Sequence, residues 1–134
     1  MAEAETDPPE PAFIAVNVSK AEMVLARRVR WAGTSAQRRR GLLDRDRLDP
    51  DDGIYIVPCQ WVHMFGMKFP IDVAFLAEDG RVLALQHELK PNRLSKLAWR
   101  ADGVLEIAAG RLRATGTAVG DVIEFREPPG EPEP

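Results

Sequence analysis

Apolar and polar positions alternate along much of the chain, and where they do so the period is two. Ile71, Val73 and Phe75 fall on one face of a segment whose other face is Asp72, Ala74 and Leu76, which predicts a strand over residues 71–77. Glu78-Asp79-Gly80-Arg81 follows with the Asp-Gly signature of a tight hairpin turn, and VLALQHEL, residues 82–89, is the return strand. Short runs rich in Val, Ile, Leu and aromatic residues predict further strands over 22–31, 53–57, 104–109 and 121–125. The second of these ends at Pro58, which cannot donate into a central ladder.

Helical signals are few. Thr34 and Gln37 stand at the spacing of a capping box, predicting a short helix over about 35–43, and residues 110–116 fit one further helical turn. Residues 43–53 are turn chemistry and 90–102 a loop. The expected fold is α+β and mainly β: a strongly curved antiparallel sheet closing into a small barrel, with one short helix.

At 134 residues the chain suits one domain. Its ends differ from its middle. Residues 1–11 carry four acids and no base, and 126–134 three acids against Arg126, so the chain's net −3 leaves about +3 between them. The expected division is an acidic, proline-rich tail over 1–19, a globular domain over 20–126 and a Pro/Glu tail over 127–134. A middle this weakly basic does not suggest a nucleic-acid partner, and the eight arginines between Arg27 and Arg47 are offset by Asp44, Asp46, Asp49, Asp51 and Asp52, a mixed-sign run that reads as a solvated face. One cysteine makes no intramolecular disulfide. The acidic start lacks the pattern of a secretory signal, and no run approaches the roughly 18 apolar residues of a membrane span. The expectation is a cytoplasmic protein without a membrane partner, monomeric or a small homo-oligomer.

Chemistry concentrates in CQWVHMFGMKFPIDV, residues 59–73. Cys59, His63 and Met67 follow a Cys-x3-His-x3-Met spacing, and soft sulfur with imidazole suits copper, although His87 is the sole further histidine. Cys59 as thiolate, His63 as base and Asp72 as orienter would be the parts of a nucleophilic site. The plainer alternative makes Trp61, Phe65, Met67 and Phe69 one buried strand face, with Val62 and Met64 opposite and Gly66 as a bulge. Asp72 shares its face with Ala74 and Leu76, so its carboxylate needs a donor. Arg40, on the inward side of the predicted helix, is the expected one, a backbone amide being the alternative.

Several motifs in order resemble one family. Arg40-Gly41-Leu42-Leu43-Asp44-Arg45, Gly53-Ile54, His63-Met64-Phe65-Gly66-Met67, Pro70-Ile71-Asp72-Val73-Ala74-Phe75, Leu105-Glu106-Ile107-Ala108-Ala109-Gly110 and Gly120-Asp121 together look like the domain-of-unknown-function family 192, small prokaryotic proteins. The resemblance covers roughly residues 20–126 and implies a compact, barrel-like β fold with a small helix. It implies no reaction and no cofactor. Leu43 stands where methionine is frequent in the family, and His63 to Met67 where many members carry a Phe-Trp-Met triplet. The expected function is a noncatalytic binding or accessory domain that recognises a small ligand or peptide through Arg40, His63, Met67, Asp72 and the loop residue Arg93. The competing expectation is a Cys/His enzyme or soft-metal protein built on Cys59, His63 and Met67.

Overall fold

The computed structural model describes residues 11–34, 37–38, 41–43 and 45–129. Seven strands are found among them: β1 (Ala12–Asn17), β2 (Met23–Ala32), β3 (Asp52–Ile56), β4 (Ile71–Leu76), β5 (Val82–Leu89), β6 (Gly103–Ala108) and β7 (Ile123–Arg126). They form one sheet in the order β5-β4-β6-β3-β2-β1-β7. Its two ends curl toward each other and touch where Arg81 bridges Val122, with the Val82 amide donating to Asp121 O at 2.8 Å and the Ile123 amide to Gly80 O at 2.9 Å. The strands expected from periodicity are all present, within one or two residues of the expected bounds.

Two expectations are corrected. Ala12–Asn17 lies within the stretch expected as an N-terminal tail, yet it is a strand paired to both β2 and β7. The acids and prolines end at Pro11, and AFIAVN supplies enough apolar surface to close the sheet. The sheet is also not wholly antiparallel, because β3 runs parallel to β2, from Arg28 opposite Asp52 to Ala32 opposite Ile56. The intervening chain, 33–51, is long enough for the crossover that a parallel pair requires. Only part of the helix expected at 35–43 is described: the Gln37 amide donates to Thr34 Oγ1 at 3.1 Å and Gln37 Oε1 accepts from the Thr34 amide at 3.1 Å, the two halves of a capping box. The second helical turn is the short helix Arg111–Ala114.

Each face of the sheet carries its own apolar cluster. Ile54, Ile56, Ile71, Val73, Phe75 and Val104 lie on one face. Tyr55, Ala74, Leu76, Leu105, Ile107 and Leu112 belong to the other. The second cluster includes a contact that only glycine permits: a Cβ on Gly103 would clash with the Tyr55 ring, and that ring is held by Trp31 and Phe125, each with centroids 4.7 Å away. Gly103→Ala is therefore expected to lower the urea midpoint by an amount equivalent to about 1–3 kcal/mol, the usual cost of overpacking a core that cannot move aside. An unchanged midpoint would show that the aromatic cluster yields.

Candidate functional site

The first face is covered by two segments outside the main sheet. Residues 59–68 and 90–101 lie side by side as an irregular antiparallel ribbon: Ala98 N donates to Gln60 O at 2.9 Å, Ser95 N to Val62 O at 2.9 Å, and Met64 N to Arg93 O at 2.8 Å. His63 and Leu94 form its bridge. Residues 90–102, expected to be a loop, are thus a partner for the strip that holds the cysteine and histidine.

This pairing reverses the expected inside and outside of the strip. Val62, Met64 and Met67 are buried, whereas Trp61 is 49% and Phe65 52% exposed. Alternation holds only as far as Phe65. Gly66 then takes φ +85°, the chain turns, and Met67 comes inward out of phase. His63 lies on the outer side with its ring stacked on Phe65 at 5.3 Å, and its Nδ1 accepts from the Phe65 amide at 3.3 Å.

Between the ribbon, residues 38 and 41–43, and the sheet lies a cavity of about 500 Å³. Leu42, Leu43, Ile56, Val62, Met64 and Met67 provide apolar wall, and Arg38, Cys59, His63 and Glu106 the titratable groups. Glu106 sits on β6 between Ile54 of β3 and Val73 of β4, so its side chain emerges from the centre of the sheet. It is buried and forms no hydrogen bond or ion pair among the described residues. Burial pushes its carboxyl up to about 7. It is thus an acid poised to change protonation near neutrality while facing an apolar space, an arrangement that recurs at functional sites.

Cys59, His63 and Met67 do line this same cavity, so the structure brings the soft-ligand trio together. Their surroundings do not suit thiolate chemistry. Burial pushes the Cys59 thiol up from its ordinary value, and Sγ lies 3.1 Å from the Trp61 carbonyl oxygen, to which it donates. Among the described residues, no group of three or more His, Cys, Asp or Glu side chains is placed to hold a metal ion.

Asp72 is on the opposite face of the sheet and takes no part in the cavity. Its carboxylate accepts three backbone amides: Glu88 N at 2.9 Å on Oδ1, and Gly110 N at 3.0 Å and Leu112 N at 2.9 Å on Oδ2. The backbone alternative therefore describes what it does; the expected partner, Arg40, lies outside the described residues. The expected nucleophile, base and orienter are consequently separated by the sheet. Arg93 is exposed on the ribbon, beside Met64.

Glu106 is the residue the sequence reading passed over. Its signal was present as a single carboxylate inside the otherwise apolar run VLEIAA. On an edge strand or a one-sided sheet that acid would point to water; in the middle of a sheet covered on both faces it cannot.

The profile of DUF192, a family described as an uncharacterised ACR, matches residues 16–125. The chain belongs to that family. Its fold is similar to that of a Sinorhizobium meliloti 1021 protein described, provisionally, as a transcription regulator, with TM-score 0.76 and 22% identity over 90% of this chain and 98% of that one. It is likewise similar to a Novosphingobium aromaticivorans DSM 12444 protein of unknown function, with TM-score 0.74 and 25% identity over 90% and 95% of the two chains. No curated protein matches the chain.

Proposed function

We propose that this member of the DUF192 family is a noncatalytic binding domain that takes up a small, mostly apolar molecule carrying one hydrogen-bonding group, which meets Glu106. The observation that carries the reading is the Glu106 carboxyl, buried at the floor of a cavity of about 500 Å³ whose walls are largely aliphatic. That volume is in the range of small-molecule sites, and a few convergent polar groups in an apolar cleft orient a ligand while the walls supply affinity. A buried carboxyl without a partner is costly to the free protein, so a ligand that supplies the partner recovers part of that cost. Of the residues expected to bind, His63 and Met67 lie at this cavity. Cys59 serves here as a half-buried wall residue.

The test is a small-molecule screen followed by amide NMR on the isotope-labelled protein. Hits are expected to move the amides of Glu106, Leu42 and Met64, and to bind at least about tenfold more weakly to Glu106→Ala, since a ligand group left unpaired in an apolar site loses the full bond. Hits that move only residues on the other face, or that bind Glu106→Ala unchanged, would overturn the reading. Native mass spectrometry of the protein purified without chelator gives the complementary measurement, a mass excess lost on denaturation.

A further inference from the structure

The paired segments, the first of which lines the cavity, have a second property, independent of what the cavity holds. From Cys59 to Ile71 and from Lys90 to Ala101 there is no aspartate or glutamate, in a protein whose net charge is −3. Lys68, Lys90, Arg93, Lys96 and Arg100 all fall within these stretches and are exposed. Lys68 is paired to Asp46 at 2.8 Å, but the other four make no ion pair among the described residues. The nearest carboxylates in sequence are withdrawn from the surface or engaged: Asp72 is buried and Glu88 pairs with Arg113 at 3.0 Å. Asp102, half-buried, stands at the end of the second stretch.

Interleaved with the cations are most of the large exposed apolar side chains among the described residues. Leu94 is 57%, Leu97 46% and Trp99 79% exposed, and Trp61 and Phe65 stand on the neighbouring segment. An isolated exposed leucine is ordinary, but five large apolar side chains on one ribbon are a patch that water does not favour. The order Arg93-Leu94-Ser95-Lys96-Leu97-Ala98-Trp99-Arg100 places a cation within two positions of every apolar tip.

We propose that this ribbon is a peripheral docking surface for an anionic phospholipid membrane, with Leu94, Leu97 and Trp99 entering the headgroup boundary and Lys90, Arg93, Lys96 and Arg100 meeting lipid phosphates. Charge complementarity selects the occupant. A second copy of this surface would bring unpaired cations against unpaired cations, and nucleic acid would find aromatic faces but no use for exposed leucines. Aliphatic tips, tryptophan and flanking Lys/Arg are the combination that an interface between headgroups and acyl chains accepts. The described residues include no helix long and apolar enough to cross a membrane. The sequence expectation of no membrane partner considered only spanning segments and export signals, which a folded ribbon does not require.

The test is co-sedimentation with vesicles of phosphatidylcholine alone and with vesicles containing about 30 mol% phosphatidylglycerol. Binding to the second only, weakened by raising salt to about 0.5 M and accompanied by a blue shift of tryptophan emission, is the expected result. Leu97→Ser with Trp99→Ser, and separately Lys96→Glu with Arg100→Glu, should each weaken binding by about tenfold or more while the thermal midpoint stays unchanged. Both pairs are exposed, and the charge pair keeps the proposal testable should the apolar pair disturb the fold. No sedimentation with either vesicle, or sedimentation that neither double variant reduces, overturns the proposal. So does binding of a single-stranded oligothymidylate in the absence of vesicle binding, which would assign the surface to nucleic acid.

Discussion

Asp72→Ala is expected to lower the unfolding free energy by about 3–5 kcal/mol, because three backbone amides in partly or wholly buried positions lose their acceptor at once. The carboxylate joins three elements. Opposite Asp72, β5 is bulged: Ile71 faces Leu89 and Val73 faces Gln86, so that His87 and Glu88 stand against one residue. Glu88 adopts φ +50°, and its amide turns to Asp72 Oδ1. On the other side, Gly110 at φ +94° begins the short helix without a side-chain cap of its own, and Asp72 Oδ2 accepts the amides of Gly110 and Leu112 instead. A loss of this size is a large part of the roughly 5–15 kcal/mol by which a domain is folded. Asp72→Asn should cost about half as much, since its oxygen can still serve one side while its amide nitrogen opposes a donor on the other. Denaturant midpoints of the two variants measure this, and amide exchange should quicken first at Glu88, Gly110 and Leu112. If Asp72→Ala unfolds within about 0.5 kcal/mol of the parent, the carboxylate is not what holds the bulge and the helix.

Glu106→Gln should abolish a fall in stability that the parent shows between about pH 4.5 and 7. The carboxyl rises from an ordinary 4.5 to about 7 in the folded protein because burial penalises its charged form. Below pH 4.5 both states hold the proton and the group contributes no difference. Between 4.5 and 7 the unfolded chain releases it while the folded one keeps it, so the folded state binds more protons and stability declines as pH rises. Above 7 the whole penalty, about 3 kcal/mol, is in force. The variant, which does not titrate, should therefore match the parent near pH 4.5 and exceed it by about 2–3 kcal/mol at pH 8.

Asp121 acts in the opposite sense. Partial burial acts upward on it, but hydrogen bonds from Lys20, Asn17 and the Ala118 amide hold its carboxyl below the ordinary value. Its contribution is present above that ordinary value and lost as pH falls through the lowered one. The two effects place the maximum of stability on the acid side of neutrality, near the foot of the Glu106 window. Urea unfolding at intervals from pH 3 to 9 checks both signs; a flat parent profile between 5 and 8 would mean that water reaches Glu106 in the folded state.

How far the strands could be foreseen depended on how local their causes are. The hairpin of β4 and β5 was legible because its turn residues and its alternation are adjacent in sequence, and the capping box of Thr34 and Gln37 for the same reason. β1 was hidden by its neighbours: the acids and prolines before Phe13 describe a tail, while the strand owes its order to β2 and β7, about 10 and 110 residues away. In the strip 59–69 no single parity buries Trp61 and Phe65 together with Met67, because the backbone turns at Gly66 and the buried side chains are Val62, Met64 and Met67.

The candidate site divides in the same way. Sequence by itself determined the family and its β-rich fold, that residues 59–73 concentrate reactive side chains, and that Asp72 must find a donor. Tertiary structure alone decided that Asp72 and Cys59 face opposite sides of the sheet, that residues 90–101 pair with 59–68, and that Glu106 stands beneath an apolar cavity. The reason is physical: alternation fixes which residues share a face of one strand, but burial and the shift of a carboxyl depend on what covers that face. Here the cover comes from segments distant in sequence, brought together only by the order of the strands.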